Sequence, residues 1–555
     1  WDAKTTAYLF YMKRCVHAPD IRVSEAVDRG YAQSCSCGGT LGDARARAIG
    51  ASRGALGVAA VLMRASPRVH RTPRYVRVHS GREAACHRSW QSSLAELQTR
   101  GSMGPTVATI PRKLVALGAK PSVWLEFTPL AAALRAVNLG QGFPDWEPPA
   151  WVAGAAKNAV ADLAPETQQY ARSRGHPRLL ETIADVYGRL RFHGRSLDPN
   201  RNVLVTNGAS GAIYLAISCL VDDGDEVVVF EPTFDIYMGA VRLAGGIPRC
   251  VPLVWRAPPR AKVANEDATE PASCAADWCI DWEALREAIG PRTRVLMLNT
   301  PHNPLGKVLT RKELEQLAEL VHAHPQVTVV SDEVYENIVF DGREHISFGT
   351  LPHMFDRCVS IFSAGKNFSV TGWKIGWMIG PEELIQRFHA AQQFVVFSVC
   401  TPMQVAVAEC LAEAERRHYF RELAALYQER RDQLVATLRQ SGLDPIVPQG
   451  GYFVVANFGK LPGFTNQFPA ALSALEGGRV PGLEIDDATR HRADYNFARW
   501  LSFECGVTPI PLSAFFCERH ADRANTLVRF AFCKQSQVLE EVSRRLQRFR
   551  DISGR

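Results

Sequence analysis

The chain has 555 residues, 46% of them hydrophobic and 22% charged, an ordinary globular composition with length for more than one domain and a large core. Its formal net charge of +7 is uneven: residues 1–102 carry 16 Lys and Arg against 7 Asp and Glu, so this leader alone holds +9 and the remainder sums to −2. A near-neutral body argues against a basic catalytic domain built to grip nucleic acid. The longest apolar run of the leader, Gly54 to Met63, is about half a membrane-spanning helix, so no span is expected.

The leader is rich in Arg, Ser and Gly and has little sustained periodicity. Two readings stand. It holds a mitochondrial targeting peptide, for which Met63-Arg-Ala-Ser-Pro-Arg-Val-His-Arg suits the start, or it is read-through sequence ahead of a start at Met103. Under either, residues 1–105 are expected to be poorly ordered, and the location cytoplasmic or mitochondrial. Of 14 cysteines, Cys15, Cys35, Cys37 and Cys86 lie in the leader and ten are scattered over the body. The body shows no paired zinc spacing, and Cys35-Ser-Cys37 is too close for a usual zinc hook. Free thiols in a reducing compartment, and no metal site, are expected.

From about residue 115 the character changes. Ser122 to Phe127 and Val137 to Asp145 read as a folded entry segment. Strands and helices then alternate. Asn202–Thr206 is a short apolar strand, and Asn207-Gly208-Ala209-Ser210-Gly211 leads into an apolar helix, Ala212 to Leu220. Further strands are expected at Glu226–Phe230, Arg294–Leu298, Val327–Val330 and Cys358–Phe362. Thr310-Arg-Lys-Glu313 is a capping box, and Leu314, Leu317 and Val321 form one apolar face of the helix it starts. Apolar runs of four or five between helices mean strands buried on both faces, hence a largely parallel sheet with helical crossovers. Arg256 to Ala276 reads as an exposed loop insertion and Asp486 to Ala493 as a polar loop. A charged helix over Glu413 to Ser441, a strand after Gly450-Gly451 and a last helix over Gln535 to Phe549 read as a smaller α+β domain.

In open α/β sheets ligands sit at the carboxyl ends of the strands. The distinctive polar residues fall there. Asn299-Thr-Pro-His-Asn303-Pro-Leu-Gly306 follows the third strand, Ser331-Asp332-Glu-Val-Tyr335 the fourth, and Ser363-Ala-Gly-Lys366 the fifth. Lys366 is followed by Gly372, Lys374 and Gly376. A lysine after a small-residue turn, with a hydroxyl, a second cation and glycines near it, is what a pyridoxal-phosphate site needs. The lysine condenses with the cofactor aldehyde, and the others hold the phosphate.

This segment resembles the cofactor-lysine motif of fold-type I aminotransferases. It is most similar to the kynurenine aminotransferase group, also called glutamine transaminase K or cysteine-S-conjugate β-lyase. The resemblance runs from about residue 121 to 550. It implies an aspartate-aminotransferase-like α/β fold: a large cofactor-binding domain with a mostly parallel sheet between helices, and a smaller α+β domain. The expected division is a leader at 1–105, an N-terminal arm and part of the small domain at 106–160, the large domain at 161–405 and the small domain at 406–555.

The resemblance also implies roles. Asp332 faces the ring nitrogen and keeps it protonated, because an opposite charge favours the cationic form. Asn303 and Tyr335 donate to the ring oxygen. Lys366 holds the cofactor and then shuttles a proton. Gly208, Ala209 and Ser210, at a helix N-terminus, meet the phosphate with Ser363 and Lys374. Phe234 stacks on the ring. Tyr170 aligns with a tyrosine that reaches the phosphate of a neighbouring subunit, which implies a homodimer with shared sites. Arg529 resembles the arginine that forks the substrate carboxylate, with Asn299 and Gly142 as helpers. Trp124 resembles an aromatic that lines the side-chain pocket.

Three positions depart from the family's pattern: His302, where many relatives have Asn or a small residue, and Ser210 and the pair Phe397-Ser398, where close animal-type members have an aromatic and a Phe-His pair. In the family they border the substrate pocket. The aromatic lining of Trp124, Phe234 and Phe397 suits large, flat or apolar side chains better than a second carboxylate. The expected activity is transfer of the amino group of kynurenine, or of a related aromatic, sulfur-containing or glutamine-type amino acid, to a 2-oxo acid. Cysteine-S-conjugate β-elimination on the same site is the alternative. A regulator with a DNA-binding leader is a third class, but the leader lacks a helix-turn-helix pattern.

Overall fold

Seven apolar runs pair into one sheet: β1 Val203–Asn207, β2 Glu226–Glu231, β3 Ile247–Pro252, β4 Thr293–Asn299, β5 Thr328–Asp332, β6 Cys358–Ser363 and β7 Ile375–Ile379. Their spatial order is β1-β7-β6-β5-β4-β2-β3. The pairs from β6 through β5, β4 and β2 to β3 are parallel, and β7 runs antiparallel between β6 and β1. The computed structural model describes residues 122–256, 273–461 and 485–552. The chain divides into two units, Trp1–Gly104 and Pro105–Arg555, and the described residues all belong to the second. The expectations for residues 1–105, and for 257–272 of the loop insertion, lie outside the described residues.

Alternation along each strand sends neighbouring residues to opposite faces. Val227, Val229, Val295, Met297, Val330 and Ile361 pack on one face against Ala212, Leu215 and Ala216 of the helix Gly208–Leu220. Val228, Phe230, Leu296, Leu298, Val329 and Phe362 pack on the other, with Leu179, Ile183 and Val186 of the helix Pro177–Leu190. Both faces of the inner strands are dry, so these strands read as nearly continuous apolar runs.

All five expected strands have their bounds within one or two residues of those read from the sequence. Two strands of the sheet were not expected. β3 is an edge strand carrying Pro248 and Pro252, tolerated there because an edge leaves backbone N–H groups unpaired. β7 begins inside the segment read as cofactor motif and runs three residues past its last glycine, Gly376.

A second sheet is antiparallel: β8 Asp444–Ile446, β9 Phe453–Asn457, β10 Ile510–Pro511 and β11 Leu527–Ala531, in the order β8-β9-β11-β10. The helices Tyr419–Gln440 and Ser536–Ile552 pack together beside it. One expectation is corrected here. The charged helix over Glu413 to Ser441 is two helices, Thr401–Arg416 and Tyr419–Gln440, broken at His418 with φ 51° and ψ 26°. The break turns Tyr419 inward, where it stacks on Phe368 at 5.7 Å and meets Trp151 edge-on at 5.2 Å. A period of 3.6 cannot register one left-handed residue between two helices. The capping box stands as read: Thr310 Oγ1 accepts from Glu313 N–H at 3.2 Å, and Glu313 Oε2 accepts from Thr310 N–H at 2.8 Å.

Candidate active site

The antiparallel β7 brings the two lysines to one end of the sheet. β6 ends at Ser363, one helical turn, Ala364–Asn367, carries Lys366, and the chain reverses through Thr371–Trp373 into β7. Ile375 pairs with Asn207, the last residue of β1, so Lys374 lies over Gly208. A Cβ on Gly208 would come 3.2 Å from Lys374 Nζ, and its φ of +67° is a conformation glycine adopts without steric cost. Lys374 Nζ donates to Ser210 Oγ at 3.4 Å.

A cavity of about 490 Å³ opens at these strand ends. Its lining contains Trp124, Gly142, Gly208, Ala209, Ser210, Phe234, Asn299, Asn303, Asp332, Tyr335, Ser363, Lys366, Lys374 and Arg529. Every residue expected at the site is thus brought together except Tyr170 and Phe397, which was expected in the aromatic lining but is exposed outside the cavity. Tyr170 is 82% exposed and sits edge-on to Phe397, itself exposed, at 5.2 Å. Of the departing positions, Ser210 lines the cavity, whereas His302 and Phe397-Ser398 do not. His302 is buried, and burial with the nearby Lys307 charge pushes its pKa to about 3, so its imidazole is neutral.

Asp332 ends β5 as a buried carboxylate. Desolvation pushes its pKa up to about 6, opposed by the hydrogen bond that Tyr237 donates to Oδ2 at 2.5 Å. A cation placed against it would restore the ionised form. Lys366 Nζ donates to Tyr452 Oη at 2.5 Å, and burial lowers the amine to about 8. Tyr452 Oη in turn donates to the Gly142 carbonyl at 2.5 Å. A Cβ on Gly142 would fall 2.3 Å from Phe453 Cζ, so the strand approaches this close only because 142 is glycine. Burial holds the Tyr335 hydroxyl well above its usual range, so it remains a donor.

Arg529, on β11, is 1% exposed. Its Nη1 donates to Asn303 Oδ1 at 3.0 Å and its Nη2 to Gly140 O at 2.6 Å. Its Nε has no partner, and among the described residues no carboxylate pairs with it. Phe453, Phe515 and Trp124 surround the guanidinium at 3.9, 4.7 and 5.4 Å from their ring centres. Asn299 lines the same cavity as Arg529 but bonds to other residues. Its Nδ2 donates to Asp332 O at 3.0 Å and its Oδ1 accepts from Asn303 N–H at 2.7 Å, so it fixes Asn303. Asp235 accepts from Trp124 Nε1 at 3.0 Å and so holds the indole at the cavity wall.

Tyr237, Tyr452, Phe453 and Phe515 were not singled out from the sequence. Tyr237 stands three residues after Phe234, one helical turn into Asp235–Ala244, and that spacing was the available signal. Tyr452 and Phe453 read only as strand residues after Gly450-Gly451.

The aminotransferase class I and II family model matches residues 135–546. Kynurenine–oxoglutarate transaminase of Dictyostelium discoideum is 43% identical over 422 residues, covering 76% of this chain and 92% of that protein. Kynurenine–oxoglutarate transaminase 1 of Rattus norvegicus is 37% identical, covering 78% and 97%. Among solved structures, Bna3p of Saccharomyces cerevisiae superposes with a TM-score of 0.70 at 30% identity, covering 80% of this chain and all of that one. A Thermus thermophilus aspartate aminotransferase mutant does so with 0.64 at 27%, with the same coverage. Fold, strand-end residues and family match agree: the chain belongs to aminotransferase class I and II and is a pyridoxal-phosphate-dependent transaminase of fold type I.

Proposed function

We propose that the cavity holds pyridoxal 5′-phosphate through the residues gathered there, and that the chain moves the amino group of kynurenine or a related aromatic, sulfur-containing or glutamine-type amino acid to a 2-oxo acid. The residues present fit the group. An amine lowered to about 8 by burial stands ready for an aldehyde. A buried carboxylate awaits a ring cation, and Lys374, Ser210 and the start of the helix Gly208–Leu220 offer a cation, a hydroxyl and N–H groups to a phosphate. When bound, the cofactor supplies an electron sink for charge at the substrate α-carbon.

The chain's own residues then divide the work. Asp332 keeps the ring nitrogen cationic, with Tyr237 holding the carboxylate in place. Asn303 and Tyr335 donate to the ring oxygen, and Phe234 covers the ring. Lys366 Nζ would hold the proton that leaves the substrate α-carbon, with Tyr452 fixing the position of the amine. Ser363 joins the phosphate donors.

The single observation that carries the reading is Arg529. A buried guanidinium with no carboxylate partner among the described residues and an unpartnered Nε calls for an anionic ligand, and a planar carboxylate matches its fork. The rings of Trp124, Phe453 and Phe515 around it favour an apolar or flat side chain on that ligand. The curated relatives act on kynurenine by name, which supports the same donor class. We further propose a homodimer in which Tyr170 reaches the partner's phosphate site; its 82% exposure and its distance from its own chain's cavity support this.

A screen of the purified protein with kynurenine, glutamine, methionine, phenylalanine and aspartate, each with several 2-oxo acids, tests the donor class. Turnover is expected to be fastest with the first four. A preference for aspartate would overturn the proposed donor class and leave the family membership standing.

A further inference from the structure

Behind the cavity wall, three side chains of different chemistry converge. Glu231 ends β2 and is fully buried. Cys517 is the N-cap of the turn Glu518–Ala524, and His520 lies in its first part. One ligand atom from each lies within 4.8 Å of the other two. Cys517 Sγ stands 3.6 Å from Glu231 Oε2 and 3.5 Å from His520 Nδ1, and the latter two are 2.6 Å apart.

Apart from the hydrogen-bonded Glu231–His520 edge, these spacings match those of a metal site. Tetrahedral zinc, with sulfur at about 2.3 Å and nitrogen or oxygen at about 2.0 Å, sets sulfur about 3.5 Å from each of the other ligands. Two of the three edges already have that length. The third needs to open by roughly 0.7 Å when an ion replaces the shared proton. Glu231 Oε1 accepts from the Cys517 backbone N–H, which turns Oε2 toward the other two ligands. His520 is the ion-pair partner of Glu231, and among the described residues no Lys or Arg bonds to that carboxylate. A second thiol, Cys250, faces both Glu231 and Cys517. The cluster is thus rich in thiol, imidazole and carboxylate donors, and the neighbouring Arg519 donates to the Cys250 carbonyl at 3.2 Å.

We infer that Glu231 Oε2, Cys517 Sγ and His520 Nδ1 bind one divalent transition-metal ion, with zinc the best match to a thiolate, imidazole and carboxylate set. A thiolate among three ligands excludes calcium and magnesium, which take oxygen. The role is structural. Glu231 lies three residues before Phe234, and Cys517 two residues after Phe515, whose ring flanks Arg529. Thr233 N–H already donates to Phe515 O at 2.7 Å. The ion would pin the segment that covers the cofactor ring to the segment that lines the carboxylate site. Cys-x-x-His is half of a zinc pattern, and the sequence expectation of no metal passed over it because Glu231 lies 286 residues before Cys517.

The full-length protein, stripped with a chelator and titrated with Co(II), tests the site. We expect a thiolate-to-cobalt charge-transfer band that saturates at one ion per chain and is displaced by zinc. Cys517→Ser should abolish the band, and His520→Gln should weaken binding more than about 100-fold, the upper range for losing a mere outer-shell partner. No band in the parent chain, or a band that survives Cys517→Ser, overturns the site. Should either variant unfold, X-ray absorption of the zinc-loaded parent decides: one sulfur neighbour with nitrogen and oxygen supports the donor set, and a shell without sulfur overturns it.

Discussion

The Tyr237 hydroxyl donates to Asp332 Oδ2 across 2.5 Å, between a helix that follows β2 and the end of β5. Both residues are buried, at 3% exposure each, so the bond is sheltered from water. It is the bond that opposes desolvation at Asp332 most strongly, and it fixes the direction in which the carboxylate faces the cavity.

Removing that donor therefore disturbs the site without touching its charge. Tyr237→Phe should weaken cofactor binding by about 1.5–3 kcal/mol, the range for a hydrogen bond to a charged group, or roughly 10- to 150-fold in dissociation constant. Fluorescence titration of the cofactor-free protein measures it. Unchanged affinity would mean that Asp332 is held by other contacts.

Lys366 gives a pH prediction. Its amine is charged below about 8 and neutral above, because burial disfavours the ammonium. Only the neutral amine attacks an electrophile. In the cofactor-free protein, labelling of Lys366 by an amine reagent should therefore rise with pH through a midpoint near 8, against about 10.4 for an ordinary lysine. Peptide mass mapping across pH 6–11 reads this out, and a midpoint above about 10 would refute the shift. Lys366→Ala should lower turnover of the loaded enzyme by at least about 100-fold, the lower bound for losing a positioned acid–base group.

Arg529→Lys keeps the charge and removes the fork. It leaves Asn303 Oδ1 or Gly140 O without its donor, as well as the substrate carboxylate. KM for both amino acid and oxo acid should rise roughly 10- to 150-fold, with a smaller change in kcat. Steady-state kinetics with the best donor from the screen checks it, and an unchanged KM would remove Arg529 from the carboxylate site.

The shared-site proposal predicts complementation. Tyr170→Ala and Lys366→Ala chains should each be impaired alone. Co-expressed, they should form mixed dimers in which one of two sites has both residues intact, restoring about a quarter of parent activity for random pairing. No recovery above the two variants measured separately would place Tyr170 outside the neighbouring site.

Much of the fold was legible because the buried strands are short apolar runs between helical stretches. Strands such as Glu226–Glu231 and Cys358–Ser363 announce themselves by composition alone. Asn303, Asp332 and Lys366 were legible for a related reason: polar residues just past such runs must lie at the mouth of the sheet. β3 hid behind its prolines, and the break at His418 hid inside a continuous charged pattern. Tyr237 and Tyr452 were hidden because their hydroxyls matter only through partners 95 and 86 positions away along the chain.

The order of motifs along the chain determined by itself that an amine, an acid and amide donors would face one cavity, since strand ends and short turns fix them within a few residues. Only the tertiary structure decided what each group feels there. It showed that Arg529 crosses from the second sheet with no acid among the described residues to pair it, that Tyr237 braces Asp332, that Tyr452 holds Lys366, and that Tyr170 faces away. The physical reason is that burial and hydrogen bonding between residues hundreds of positions apart depend on how two sheets pack, and no local pattern encodes that packing.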